Sequence, residues 1–579
     1  MAKIDKSESN LYSIPKGANV LKTGAVYIND KNYRVEPTDG RKPYVSHIKL
    51  CIGKVSEEDR SKFYANDNYK KKYLKEELPQ PPVKNDSLSV GVYAAAAEAD
   101  KATGVTETLI ESGFREDEVA LLKDLALYMI EAETAVFQHF PAWSRNNATF
   151  SEAIIDDTQI SRFLRELGFS RIQLFKDNWL KKILRVGDKV FLCYDSTNVN
   201  SQAEGVSIVE KGHAKDDKTL NQVNTEYVVR QEDGMPVAYM QYPGSIVDIA
   251  EAEKMIEYIG KFNNDVKIVV VCDRGYISVD NVTAFDEQGL DYLLLVKSNL
   301  TMARKILEEH AAEVKDIYSC YIPEEDKFGK TFKVKLFSDS DIESYVHLIF
   351  DKELEGKHRN SLLNRIKLQK AEIDKAIERK TKFTLDNLKK YNLFNLKIEL
   401  SEAIIAPKKG RKGGKTEQPS YVIKSYTEDD KKIQAEFSYC GFFILATSEQ
   451  MTVLEAIRAY SKRDSVEKVF QALKSFLGMG KYGVHSEVSM NGKTFLWFIA
   501  SIFRSHISSK LSSLRVSTGD KKTYTTPASL DSLAAIQADR NLSTDKYERR
   551  YGLTKKQKEI CKALSVDETA IDEIIDSLS

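Results

Sequence analysis

Tyr460, Arg463, Glu467 and Lys474 are spaced so that a helix would gather a carboxylate, two cations and a phenol on one side. At about 100° per residue, Arg463 falls roughly 300° from Tyr460, Glu467 roughly 340° and Lys474 roughly 320°, a single narrow stripe. Val466, Val469, Phe470, Leu473, Phe476 and Leu477 occupy the adjoining stripe. Such a helix buries one side and presents beside it an acid that can face a metal and cations that can face a phosphate. Charges on an amphipathic helix are usually only its solvated face, so the reading depends on what else the chain carries.

Two further acids follow apolar runs. Lys189 to Tyr194 reads as a strand ending at Asp195, with Ser196-Thr197-Asn198 after it. Val266 to Cys272 reads as a buried strand ending at Asp273, with Arg274-Gly275-Tyr276 after it. An aspartate after a strand is, taken alone, most often a turn residue or a helix cap. Three carboxylates at the ends of elements of one sheet can hold two Mg²⁺ ions about 4 Å apart. One ion activates the attacking oxygen, from water or a 3′-hydroxyl, and the other stabilises the leaving 3′-oxygen. Ligation by oxygen alone selects Mg²⁺ or Mn²⁺ over zinc.

The elements that hold these acids can be read from periodicity. After the first strand, Val206–Val209, Val223–Val229 and Val237–Tyr242 offer further strands, and Ile249–Gly260 a helix. Val279–Glu287 is a helix and Tyr292–Val296 a strand, so the order is β, β, β, α, β, α, β in a mixed sheet. The chain of 579 residues is too long for one ordinary core, and two to four domains are expected. Residues 1–90 read as a small β-hairpin module, with a linker at Pro79-Gln80-Pro81-Pro82. Residues 91–186 are helical, with a possible role in binding DNA ends. Residues 187–304 and 436–512 form the two parts of the core, and 305–435 interrupt it with strands at Thr331–Phe337 and Val346–Phe350 and a Lys-rich helix over Leu354–Lys389. Residues 513–579 read as a polar tail with a final helical segment near Lys555–Leu578 and a possible part in dimerisation.

The net charge is zero, but the charge is unevenly placed. Between Lys352 and Lys415 there are 18 Lys and Arg against 8 Asp and Glu, including the tip cations Lys408, Lys409, Arg411 and Lys412. A local positive segment can grip phosphate without making the whole chain sticky. The six cysteines are scattered with no C-x-x-C, which suits reduced thiols in a cytoplasmic protein. No apolar run is long enough for a membrane helix, and the polar start does not read as a signal peptide.

Taken together, Tyr194-Asp195-Ser196-Thr197, Gly212-His213-Ala214-Lys215-Asp216 with Leu220-Asn221-Gln222-Val223, Gly234-Met235-Pro236-Val237, Pro243-Gly244-Ser245, Cys272-Asp273-Arg274-Gly275-Tyr276, Tyr292 to Lys297, Glu467 and Gly483-Val484-His485-Ser486 are ordered along the chain. Over roughly 185–510 the chain resembles a DDE transposase of a bacterial insertion sequence, in the Tyr-Arg-Glu-Lys signature group (insertion-sequence family four and relatives). The resemblance implies a ribonuclease H-like α/β fold whose mixed sheet, flanked by helices, is interrupted by an inserted β-rich and helical domain, with an N-terminal α+β region. The 194 residues separating Asp273 from Glu467 leave room for such an insertion. It implies Asp195, Asp273 and Glu467 as catalytic metal ligands. It implies that Arg463 and Lys474 touch phosphate near the cleaved end and that Tyr460 packs or hydrogen-bonds beside it. Arg274 and the tip cations Lys408, Lys409, Arg411 and Lys412 are assigned to DNA as well. His213 is a candidate neighbour of the first acid, and a turn histidine equally.

The chain departs from the best-known relatives in one respect. They stack an extruded base on a tryptophan of the insertion, whereas Trp143, Trp179 and Trp497 all lie outside it. Tyr421, Tyr426, Phe383 and Phe394 are the substitutes on offer. The activity implied is binding of terminal inverted repeats, cleavage at the ends and joining of 3′ ends to target DNA. A homodimer would act in the synaptic complex of a prokaryotic, nucleoid-associated protein. The alternatives are a nuclease of the same fold that cleaves without joining, and a non-catalytic DNA-binding repressor.

Overall fold

The computed structural model describes residues 10–35, 44–74, 84–184, 189–212, 219–246, 248–262, 266–407, 415–520 and 522–578. The chain divides into two compact units, Met1–Asn85 and Asp86–Ser579.

The first unit is a five-stranded antiparallel sheet built on the long pair Ala25–Val35 and Tyr44–Val55. Val26, Ile28, Ile52 and Phe63 fill its small core. The hairpin expected over 1–90 therefore becomes a sheet of five strands. Its boundary is earlier, because Ser87–Ser89 pairs with Gln537–Asn541 in the second unit. The Pro79–Pro82 linker lies outside the described residues.

The second unit is built on nine strands. They are β1 (Lys189–Ser201), β2 (Asn221–Arg230), β3 (Pro236–Pro243), β4 (Lys267–Cys272), β5 (Asp291–Leu295), β6 (Tyr321–Ile322), β7 (Lys327–Lys335), β8 (Glu343–Asp351) and β9 (Phe442–Thr447). Their order across the sheet is β6-β7-β8-β9-β5-β4-β1-β2-β3. The helices used below are α1 (Asp157–Glu166), α2 (Asp248–Gly260), α3 (Val279–Glu287), α4 (Lys352–Glu378), α5 (Val453–Ser461), α6 (Asp464–Phe476) and α7 (Glu487–Thr518).

β1, β2 and β3 form an antiparallel meander, with a short turn between β2 and β3 and the longer segment 202–220 between β1 and β2. α2 and α3 are the crossovers that let β4 and β5 run parallel to β1. β4 shows no alternation of apolar and polar residues: Ile268, Val269, Val270, Val271 and Cys272 are all buried, as expected of a strand covered on both faces. The β, β, β, α, β, α, β order is present as read. Val206–Val209, expected as a strand, is a loop, and the nearby ladder contact is the bridge Glu210↔Gln222 just beyond it.

Three boundaries differ from expectation. First, the insertion expected over 305–435 begins later, because β6, β7 and β8 hydrogen-bond into the main sheet through the β8–β9 pairing. The body with its own core spans 352–441. There α4 packs with the hairpin Phe394–Pro407 and Lys415–Glu428 around Leu362, Ile366, Ile373, Tyr391 and Ile423. Second, the helical reading over Ile155–Leu184 is two helices, α1 and Phe169–Leu184. Third, the C-terminal segment is no loose tail. Leu530, Leu533, Ile560, Leu564 and Ile571 are buried in the same core as the helices after Gly91, and its strand Gln537–Asn541 pairs with Ser87–Ser89. Its many charged residues are the outer faces of short amphipathic elements.

Candidate active site

The register of β1 against β4 pairs Cys193 with Val271 and Tyr194 with Cys272. Asp195 and Asp273 are the next residue on each strand, so the two acids stand side by side where the parallel pairing stops. β4 ends there and Asp273 caps the short turn Arg274–Tyr276 through the Arg274 amide, 2.7 Å away. β1 does not end at Asp195 as the sequence suggests. It runs on to Ser201 because β2 continues to pair with it as far as Asn221.

Each aspartate has a phenol beside it. The Tyr276 hydroxyl donates to Asp195 Oδ1 at 3.4 Å, and the Tyr460 hydroxyl donates to Asp273 Oδ1 at 3.4 Å. The Asp195 carboxylate also accepts the Ser196 amide at 2.8 Å. Burial pushes the Tyr276 hydroxyl well above the ordinary tyrosine range, and the charge of Asp195 adds to it. Burial likewise raises Tyr460, with Asp273 contributing and Arg463 opposing. Both phenols therefore stay protonated as donors at neutral pH.

Arg463 joins the acids. Its Nη1 lies 3.7 Å from Asp195 Oδ2 and its Nη2 donates to Glu467 Oε1 at 2.5 Å. Burial alone would lower the Arg463 pKa, but the pull of Tyr460, Asp273, Glu467 and Asp195 leaves it raised. The guanidinium is thus a fixed positive charge among three acids, 5.8 Å from the Tyr460 ring centre.

The single helix expected to carry Tyr460 through Lys474 is two helices. Tyr460 ends α5, and Glu467 lies in the first turn of α6. Between them the Arg463 amide bonds back to Tyr460 and the Val466 amide to Arg463, three residues apart. That tight turn replaces i→i−4 spacing and rephases the stripe. It still brings Tyr460, Arg463 and Glu467 to the acids. Lys474 is carried two turns along α6 and lines a neighbouring cleft instead.

Other expected residues sit elsewhere. Arg274 is exposed on the turn after Asp273. Lys408, Lys409, Arg411, Lys412 and His213 lie outside the described residues. Tyr421, Tyr426, Phe383 and Phe394 belong to the packing of the 352–441 core, where Phe394 and Tyr426 meet edge-to-face, so they do not form an open stacking platform. Reasoning from the sequence alone misses Tyr276 as a partner of the acids. Its three-residue offset from Asp273 in the run Asp-Arg-Gly-Tyr is the available signal.

A polar cavity of about 420 Å³ opens beside the aspartates, lined by Ser196, Asn198, Asn224, Ser245 and Tyr276 among others. Among the described residues no three His, Cys, Asp or Glu side chains converge closely enough to hold a metal ion. The donor set is nevertheless of the right kind: Asp195 and Asp273 offer hard oxygens from adjacent strands, and the Glu467 carboxylate is engaged by Arg463. Among the described residues no helix is long and apolar enough to cross a membrane.

The cryo-EM structure of a piggyBac transposase synaptic complex with hairpin DNA overlaps 83% of this chain and 78% of its own at 9% identity and a TM-score of 0.32, too distant to bear on function. No curated protein matches the sequence. The Transposase DDE domain family matches residues 187–503, which run from the start of β1 through the acids and the 352–441 body into α7. Covering more than half of the sequence, that match shows that the chain belongs to the DDE transposase family.

Proposed function

We propose that the protein is an active DNA transposase of the bacterial insertion-sequence type with the Tyr-Arg-Glu-Lys signature. It binds the terminal inverted repeats of its element, cleaves DNA at the ends and joins the 3′ ends to target DNA. The observation that carries this reading is the pair Asp195 and Asp273 side by side where two parallel strands stop pairing, linked through Arg463 to Glu467. A meander of three strands followed by two strands parallel to its first, with helical crossovers, supports a ribonuclease H-like core.

In this reading Asp195, Asp273 and Glu467 hold divalent metal, Mg²⁺ or Mn²⁺. Bound there, the metal supplies Lewis-acid stabilisation of the attacking and leaving oxygens of an in-line displacement. Tyr276 and Tyr460 orient the two aspartates by donating to them. Arg463 offsets the charge of the acids, and with Glu467 holding metal it would be free to meet a DNA phosphate. Arg274 and the 408–412 tip meet the backbone further out, and residues 1–186 recognise the ends. A dimer brings two ends together.

The test is cleavage of a labelled duplex carrying the element's own ends, taken from the DNA flanking the gene, with Mg²⁺, Mn²⁺ or EDTA. Metal-dependent nicking at the repeat boundary by wild type but not by Glu467→Ala supports the reading. Strand-transfer products separate a transposase from a nuclease. Specific binding without cleavage under any metal would reject turnover.

A further inference from the structure

A cavity of about 1110 Å³ in the second unit is a cleft separate from the aspartates. One wall is Thr134–Gln138 together with α1, and the other is the end of α6 with the loop 478–486. The walls are held close: a Cβ on Gly478 would come within 2.5 Å of the Ala135 amide, and one on Gly492 within 2.2 Å of the Leu164 carbonyl. Arg165, Lys474, Lys481 and Lys493 line the cleft against one carboxylate, Asp157.

Lys493 is the informative residue. It lies on α7 with 7% of its surface exposed. Its Nζ donates to the Tyr482 carbonyl at 2.7 Å and rests 5.2 Å from the Trp497 ring centre and 5.9 Å from that of Phe137. No carboxylate stands within ion-pair distance of it among the described residues. A buried ammonium with one acceptor and no counter-ion is costly unless an anion completes it. Burial accordingly lowers its pKa to about 8.

Two elements that carry the acids also reach this cleft. Lys474 is seven residues beyond Glu467 on α6, about 10 Å along the helix. Asn200, which lines the cleft, is five residues beyond Asp195 on β1, and its carbonyl accepts the Tyr482 amide at 3.3 Å. At about 3.4 Å of helix axis per phosphate, that offset corresponds to about three nucleotides.

We propose that this cleft binds the phosphates of a DNA strand running from the cleavage point, with Lys493 as the buried cation at its floor and Arg165 and Lys481 at its rims. The proposal rests on the transposase reading above. Its test is binding of the end-bearing duplex across a salt series, comparing wild type, Arg165→Gln/Lys481→Gln, and the outside control Lys333→Gln/Lys335→Gln. The cleft pair should reduce the salt slope by up to about 2, close to 0.9 for each phosphate no longer neutralised, and weaken binding about ten-fold at low salt. The control should leave the slope within a few tenths of wild type. Lys493→Met should keep or raise the melting temperature while weakening binding. Wild type that cuts the duplex while the cleft pair keeps the full slope would overturn the cleft alone. Wild type that neither binds nor cuts would overturn the reading beneath it. A fall in the melting temperature of Lys493→Met with unchanged affinity would make Lys493 a structural lysine and overturn its role.

Discussion

Where β1 and β4 stop pairing, Arg463 stands between Asp195 and Glu467 with only 16% of its side chain exposed. On α4, Lys370 meets Glu428 with 44% of its side chain exposed, and Lys390 meets Glu372 with 52%. Both regions are dense in charge, but they use it differently. In the 352–441 body much of the surplus of lysine is met locally: Lys382 pairs with Glu402 and Lys389 with Asp386 as well. Such exposed pairs are individually worth little. Beside the acids the charges sit on a rigid frame, partly out of water, where the carboxylates help to keep the Tyr276 and Tyr460 phenols protonated and the Arg463 guanidinium charged. Charge becomes chemistry where backbone geometry forces like charges together, not where it is merely abundant.

The sharpest way to break this contrast is Asp195→Asn or Asp273→Asn. Each should lower cleavage by roughly a thousand-fold or more with the circular dichroism spectrum unchanged, since an amide keeps the shape and loses the ligand charge. Cleavage within a few-fold of wild type would remove the acids from the site. Next in size is Arg463→Gln, expected to lower cleavage about a hundred-fold. It should also make the protein depend more on metal: the rise in melting temperature on adding Mg²⁺ should exceed that of wild type, because no resident cation then offsets the acids. An equal or smaller rise would show that Arg463 does not compensate them.

The frame should also carry a pH signature. His347 on β8 is fully buried between Thr331 and Thr447, and burial lowers its pKa to about 4 from an ordinary 6.5. Between those values the unfolded chain binds the proton that the folded chain refuses. The stability from a neutral His347 is therefore present above pH 6.5 and is lost as pH falls toward 4, about 3 kcal/mol in all. His347→Gln should flatten that slope in denaturant titrations; an unchanged slope would assign it to other groups. The smallest effect is expected from the body: Lys370→Gln and Lys390→Gln should each shift stability by less than about 0.5 kcal/mol. A loss above about 1 kcal/mol from either would contradict the contrast.

Much of the core is legible in the sequence because its strands are buried on both faces and read as apolar runs, as at Ile268–Cys272. The acids are legible for the same reason, since Asp195 and Asp273 interrupt such runs at matching depth. What escapes is set by partners distant in sequence. β6–β8 read as part of an insertion because they join the sheet through the pairing of Tyr345–Phe350 with Phe442–Thr447, about a hundred residues away in sequence. The turn at Arg463 escapes because nothing in Ser461-Lys462-Arg463 is a helix breaker by type. Lys493 escapes because a lone lysine in an apolar helix carries no signal until the rings of Trp497 and Phe137 are known to surround it.

The inserted body leaves the sheet from β8 and returns on β9, and those two strands are antiparallel neighbours: Phe350 pairs with Phe442, and the Asp351 amide bonds to the Gly441 carbonyl. Its point of departure and its point of return are thus separated by about 5 Å, the width of one ladder rung. In architectural terms the body is a cassette plugged into a hairpin. Replacing residues 352–440 by a two-residue turn closed by Asp351 and Gly441 asks the two strands for no new register. This geometry lets such a body be lengthened, exchanged or discarded over generations while the strands that carry Asp195 and Asp273 keep their places.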